Sequence, residues 1–289
     1  MKNYMGDLAL IDYAKAEALY KRCVTKTRDF IYGLGAKDVV IGLSGGIDSA
    51  LACAIAVDAF GPKHVHAVLI PGPYSTKHSI QDAKSSAEAL GINHKIVNIK
   101  DIYEGFKDVL EQPCGEEAFA GLTSQNIQAR IRMTVLMAFA NAKGWLLLST
   151  SNKTEFYLGY FTLYGDLSGV FGPIGGLVKH EVYGLALWRN VQACAKDQAV
   201  SLPIPENSLL KPPSAELADM QTDQDSLGLD YETLDKMVLI YERAILVGKS
   251  RSAIAEELQA AGFHESNVTK VLSLIETNKF KQHLTPPHP

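Results

Sequence analysis

Little in this chain of 289 residues argues for secretion, a membrane or a nucleic-acid partner. Cysteine is scarce: Cys23, Cys53, Cys114 and Cys194 show neither CxxC nor Cys/His ligand spacing. That excludes a disulfide framework and a structural zinc site as expectations, and the four residues read as reduced thiols of a cytoplasmic protein. Positive charge is not in excess, since 28 Lys and Arg face 32 Asp and Glu for a net charge of -4, which argues against the broad basic face of a nucleic-acid binder. No apolar run approaches membrane-spanning length. Asp12, Lys15 and Glu17 interrupt the segment after residues 1–7, so the apolar centre of a signal peptide is missing. Internal repeats are lacking too, and low complexity is confined to the tail 286–289.

What is present is a hydrophobic content of 47%, ample for the core of a large α/β unit. Strand-like runs at 39–43, 65–70, 95–99 and 145–149 alternate with helical segments near 48–60, 78–90, 101–111 and 123–143. Alternation of this kind predicts an α/β fold with a doubly wound parallel sheet. Tyr13, Tyr20, Val24 and Ile31 share one face of a helix ahead of the first strand. A glycine-rich stretch over 159–176 precedes a helix over 179–196, and four prolines between 202 and 215 predict an extended functional loop. Helices near 231–246, 250–261 and 265–277 follow. The expected organisation is one domain over 1–289 with a helical part at 230–280.

The most informative stretch is SGGIDS, Ser44 to Ser49, between the first strand and an alanine-rich helix. Gly45 and Gly46 let anionic oxygens approach the main chain, the helix directs its positive end at them, and Ser44 and Ser49 add hydroxyl donors. Asp48 is a hard oxygen ligand suited to a phosphate-bound Mg²⁺. No lysine follows the glycines, so the Walker A pattern is excluded, and the spacing is not GxGxxG. The alternative, a glycine turn that only links strand to helix, explains neither the serines nor the aspartate. In ligand-binding sheets of this type the site lies beyond the carboxyl ends of the strands, which should also gather the segment after Ser149.

SGGxDS resembles the pyrophosphate loop of the ATP pyrophosphatases, which cleave ATP between its α and β phosphates. Further motifs follow in order: Thr123 to Arg132 (TSQNIQARIR), Ser149 to Glu155 (STSNKTE), Tyr164-Gly165-Asp166, Pro173-Ile174 before Lys179, and Lys211 to Leu217 (KPPSAEL). Together they resemble NAD synthetase, from about residue 10 to 287, and above all the synthetase domain of the glutamine-dependent enzymes. The resemblance implies an adenine nucleotide alpha hydrolase-like fold, and an enzyme that binds ATP and deamido-NAD, adenylates the nicotinate carboxylate and lets ammonia displace AMP. It implies ATP contacts from Ser44, Gly45, Gly46, Asp48, Ser49, Thr150, Lys179 and Ser214, and Mg²⁺ ligation by Asp48 and Glu155. It assigns Asn126, Arg130, Asp166 and Lys281 to deamido-NAD, with Asp48, Glu155, Asp166 and Lys179 as the catalytic set. On the helix over 123–143, Asn126 and Arg130 share a face while Arg132 is expected to point elsewhere.

The resemblance further implies a homodimer with the first helix and the 123–143 helix as interface elements. Some positions depart from it. Pro73 stands where the glutamine-dependent relatives carry an arginine, so a weaker ATP site or another cation is expected; Gln125 and Gln224 replace frequent acids, and Gly176 a frequent Asp. About forty residues precede the loop, too few for the glutaminase domain of those relatives, so the expected nitrogen donor is free ammonia, or ammonia from a separate glutaminase. Two rivals remain: another ATP pyrophosphatase, either tRNA-thiolating or GMP-forming, and a non-catalytic nucleotide-binding protein.

Overall fold

Strand β1 (Val39–Gly42) is fully buried over its first three residues and alternates its side chains between two cores. Val39 and Ile41 enter the larger core, Val40 the smaller one on the opposite face. The computed structural model describes residues 13–115, 119, 121–197 and 201–289; of the charged N-terminal segment discussed above, Asp12 lies outside the described residues, while Lys15 and Glu17 fall in the first helix. Beside β1 lie β2 (Val65–Leu69) and, at the edge, β3 (Asn93–Ile96), with β4 (Leu146–Leu147) on the other flank. The order β3-β2-β1-β4 and uniformly parallel pairing make a doubly wound sheet, as the alternation of runs predicted. The chain winds outward from β1 to β3 and then returns to β4, which places the switch point between β1 and β4.

On one face pack α1 (Tyr13–Gly33), α2 (Ile47–Phe60), α3 (Lys77–Ala89) and, further along the chain, α7 (Lys179–Lys196). Of the expected α1 face, Tyr20 and Ile31 are buried and Val24 packs on the same core, while the Tyr13 side chain lies outside the described residues. Helix α2 is buried on nearly all sides, and each large side chain such as Leu51 or Ile55 contributes roughly 1.5–3 kcal/mol of transfer free energy. The opposite face is covered by α4 (Lys100–Cys114) and α5 (Leu122–Lys143).

Pairing of β3 begins two residues before the expected run, because Asn93 and His94 are polar and the strand is a largely exposed edge. Its ladder continues past the strand, with Val97 N donating to Leu69 O (2.9 Å) and Ile99 N to Pro71 O (2.9 Å). After β4 comes the short helix α6 (Lys153–Leu158), which had no separate signal in the expected organisation. The proline-rich loop is interrupted by α8 (Glu206–Leu210), and α9 (Asp223–Leu227) follows it. Helices α10 (Tyr231–Leu246), α11 (Arg251–Ala260) and α12 (Glu265–Gln282) form a second apolar cluster around Leu234, Met237 and Val238, joined by Leu158 of α6. Among the described residues, no helix is long and apolar enough to cross a membrane.

Candidate active site

The SGGIDS segment forms a tight turn at the carboxyl end of β1. Gly45 has φ +83°, and a Cβ there would stand 2.2 Å from the Ser79 carbonyl oxygen, so glycine is required for both conformation and space. Ser49 Oγ donates to Gly46 O (3.0 Å) and accepts from Ser44 N (3.1 Å), while Ser44 Oγ accepts from Gly46 N (3.2 Å). Ser208 of α8 donates to Gly45 O (2.8 Å) and fixes the turn from outside. Gly46 is the N-cap of α2 and supplies no side-chain cap bond to its first turn, which leaves those N–H groups available to an anion.

Asp48 leads to the charged centre. Its Oδ2 meets the buried Lys179 Nζ at 2.5 Å, and its Oδ1 accepts from Asn152 Nδ2 at 2.9 Å. Asn152 also caps α6: its Oδ1 accepts from Glu155 N (3.0 Å) and Glu155 Oε2 accepts from Asn152 N (3.1 Å). This reciprocal cap aims Glu155 at Lys179, with Oε1 3.9 Å from Nζ. Asp223, from α9, lines the same cavity and accepts from Tyr231 (2.9 Å) and Tyr160 (3.3 Å). Three carboxylates thus surround one ammonium. Burial, then Asp48, raises the pKa of Glu155 despite Lys179, and burial likewise raises that of Asp223. Burial disfavours the Lys179 ammonium, but Asp48, Glu155 and Asp223 outweigh it and hold the proton on firmly.

One residue keeps α6 and α7 together. Asp235 of α10 is fully buried, accepting from Thr154 Oγ1 (2.5 Å), His180 N (2.7 Å) and His180 Nδ1 (2.9 Å). Those partners adjoin Glu155 and Lys179 in sequence.

These groups border a cavity of about 310 Å³. Ser44, Gly46, Asp48, Ser49, Thr150, Glu155, Asp166, Lys179 and Ser214 line it, and Gly45 shapes its turn from behind. The Ser214 hydroxyl is engaged within its own loop, donating to Gln221 O (2.6 Å) and accepting from Glu216 N (3.1 Å). Asp166 stands at the cavity wall with its carboxylate still open to solvent; desolvation by the surrounding wall raises its pKa, and its Oδ1 accepts from Thr162 N (2.7 Å). Asn126, Arg130 and Lys281 do not line the cavity. They gather behind the 159–166 segment: Asn126 Oδ1 accepts from Thr162 Oγ1 (2.7 Å), Arg130 Nε donates to Leu163 O (3.1 Å), and Lys281 Nζ donates to Gly159 O (2.8 Å) and Phe161 O (3.1 Å).

Contrary to the face expected from spacing, Arg132 reaches the cavity and Arg130 remains exposed. The loop over 211–221 is latched to α3 by Glu216, which accepts from Thr76 N (3.2 Å), Thr76 Oγ1 (3.2 Å) and Ser79 Oγ. Among the described residues, the non-glycine residues with positive φ are Tyr164 (60°), Glu216 (48°) and Met220 (51°), all in the two loops that border the site. Asn152, Asp223 and Arg132 carried no assignment from the sequence. For Asn152 a signal existed, the Asn-x-x-Glu capping pattern ahead of a short helix.

Among the described residues, no three His, Cys, Asp or Glu are arranged to hold a metal by themselves. Asp48 and Glu155 offer two carboxylates in a region of excess negative charge. That set fits Mg²⁺, which takes one or two carboxylates and completes its shell with phosphate oxygens and water.

Residues 19–285 match the family model described as NAD synthase. The chain belongs to the NAD synthase family. It is 40% identical over 270 residues to a glutamine-dependent NAD(+) synthetase of Aquifex aeolicus, a match covering 93% of this chain and 45% of the relative. It therefore spans about half the length of the curated relatives it matches. Among solved structures, an NMN synthetase from Francisella tularensis superposes with a TM-score of 0.70 at 30% identity, covering 93% of this chain and 95% of that one. An NH3-dependent NAD synthetase from Campylobacter jejuni, in complex with the nitrate ion, gives a TM-score of 0.69 at 27% identity, with 94% and 96% covered. As a NAD synthase family member the chain has the nucleotide alpha-hydrolase-like fold that these neighbours share.

Proposed function

We propose that this chain amidates deamido-NAD to NAD at the expense of ATP, through an acyl adenylate, with ammonia as nitrogen donor and AMP and pyrophosphate as products. The observation that carries the reading is the open SGGIDS turn with Asp48, Glu155 and Lys179 converging beside it in one cavity of a NAD synthase family chain. A carboxylate is a poor electrophile; attack of its oxygen on the α-phosphorus, with the α–β bridge breaking and pyrophosphate leaving, supplies AMP as a leaving group. Ser44, Ser49 and the Gly46 end of α2 face the phosphates, and Lys179 offsets the charge that accumulates as pyrophosphate departs.

Asp48 and Glu155 are the residues that would hold Mg²⁺, which supplies neutralisation of phosphate charge when bound. Thr150 and Ser214 add hydroxyls at the cavity wall. In the second half-reaction ammonia attacks the acyl carbon and AMP leaves. Ammonium must first lose a proton, and Asp166, a carboxylate on the cavity wall whose pKa desolvation raises, is a suitable base. Asn126, Arg130 and Lys281 serve the dinucleotide from behind the Thr162 segment, and a homodimer is part of the reading, with Leu122 and Met137 left exposed on α5.

Ammonia as donor is supported by the thiols of this chain. Cys23 and Cys53 are buried and pushed up to about 12, the opposite of an activated nucleophile, and neither Cys114 nor Cys194 lines the cavity. The test combines ATP–pyrophosphate exchange with product analysis. Exchange of labelled pyrophosphate into ATP should require deamido-NAD and Mg²⁺, and NAD should form with ammonium as sole donor. ADP as product, or glutamine-supported turnover by homogeneous ammonia-free protein, refutes the reading. Nicotinate mononucleotide, suggested by the likeness to the Francisella protein, should be the poorer acid; faster amidation of it would move the substrate to the mononucleotide.

A further inference from the structure

At the carboxyl end of β2 the chain turns through Pro71, Gly72 and Pro73. The turn is closed twice, by Ser75 N donating to Gly72 O (3.2 Å) and Gly72 N donating to Ser75 Oγ (3.0 Å). Arg132 crosses from α5 to reach it. Its Nε donates to Ile70 O (3.1 Å), and its Nη2 lies so near Gly72 that a Cβ there would stand 2.6 Å away. Glycine at 72 is therefore what makes room for the guanidinium.

A guanidinium carries five N–H donors. One is used on Ile70; among the described residues no acceptor meets the other four, and no carboxylate stands within ion-pair distance. Two carboxylates act on it from further away. Glu216 is already committed to Thr76 and Ser79, and Asp166 to Thr162. Burial pushes the Arg132 pKa down only to about 10, so the group stays charged at neutral pH. A strut would be served by the single bond to Ile70 without a charged fork. What remains is a half-buried cation on the cavity wall whose other donors meet no protein acceptor among the described residues, an arrangement that favours an anion arriving in the cavity.

We infer that Arg132 and Gly72 form an oxyanion seat within the cavity, where the guanidinium fork takes a phosphate or carboxylate group of a bound nucleotide substrate. The inference rests on the nucleotide reading of this cavity. It also supplies a cation at the turn where Pro73 cannot. Arg geometry matters, because a fork pairs two oxygens at once where an ammonium offers a point charge.

Calorimetry with ATP, deamido-NAD and uncharged adenosine tests the seat without requiring turnover. Arg132→Gln should weaken the seated substrate about 10–100-fold while adenosine competes as in the wild type, and Arg132→Lys should recover only part of the loss. Gly72→Ala leaves every charge in place but displaces the fork, and should reproduce the effect; its backbone is not in the left-handed region, so it serves if the arginine variant fails to fold. Loss confined to ATP assigns the seat to a phosphate of ATP, and loss confined to deamido-NAD assigns it to that molecule. Unchanged affinity for both in a folded Arg132→Gln or Gly72→Ala protein, or an equal loss for adenosine, overturns the inference. Failure to form NAD in the preceding assay would overturn the proposed reaction and leave this binding comparison to decide the seat.

Discussion

Glu155→Gln should make the metal-free protein more stable and nearly inactive. Three carboxylates, Asp48, Glu155 and Asp223, face one ammonium in a buried cluster, so full ionisation would leave a formal charge of about -2, and the substitution removes one of these acids. The amide keeps an oxygen that can accept from Asn152 N, so the cap of α6 survives. Removing a buried charge that its partners do not fully offset is worth about 1–3 kcal/mol. For a chain of this size that is roughly 2–4 °C in Tm per kcal/mol. Turnover should fall at least about a hundredfold, near 2.7 kcal/mol of barrier, if this carboxylate acts where charge develops.

The pH dependence fixes the sign. Burial and Asp48 make the native state bind the Glu155 proton more tightly than the unfolded chain does. Its contribution to stability is full below the ordinary value of 4.5 and is lost as pH rises through the raised native value. The advantage of the variant should vanish below that ordinary pKa and grow toward neutrality. Thermal unfolding in EDTA across about pH 4–9 measures it. A variant less stable than wild type near pH 7.5, or a difference that does not grow with pH, would refute the account of the cluster.

Two further outcomes follow from the same geometry. Gly45→Ala forces a Cβ against the Ser79 carbonyl in a left-handed conformation, so the turn must open; ATP affinity should drop at least about tenfold, with a folding cost of about 1–2 kcal/mol from the conformation alone. Wild-type ATP binding in that variant would show that the turn does not hold phosphate. Asp235→Asn presents an NH₂ group to at least one donor among Thr154 and His180, and should cost about 3–5 kcal/mol in urea unfolding while lowering kcat, because α6 and α7 lose their shared anchor. Normal stability and turnover would remove Asp235 from that role.

Much of this protein is local in origin. The β-branched run at 39–41, the glycine pair at 45 and 46 and the all-round apolar α2 announce strand, turn and buried helix from neighbouring residues alone, since propensity and steric freedom act within a few positions. The order of strands and helices followed from period and alternation, and the motifs from Ser44 to Leu217 pointed to one chemistry. Other features depend on distance in sequence. Asp48 meets Lys179 across 131 positions and Asn152 across 104, pairings fixed only when the sheet winds both ways from β1. The acid facing the cavity beside Gln224 is Asp223, which no local pattern distinguishes from Asp225 until Tyr160 and Tyr231 enclose it. Spacing along α5 separates Arg130 from Arg132 but cannot say which looks inward, because the helix is weakly amphipathic; packing of Met133 and Leu136 against β1 and β4 turns Arg132 to the cavity. The sequence by itself determined the elements and the chemical repertoire, through forces that reach a turn or two; the tertiary structure decided which charges share a dielectric cavity, because that energy depends on separations only the packed fold sets.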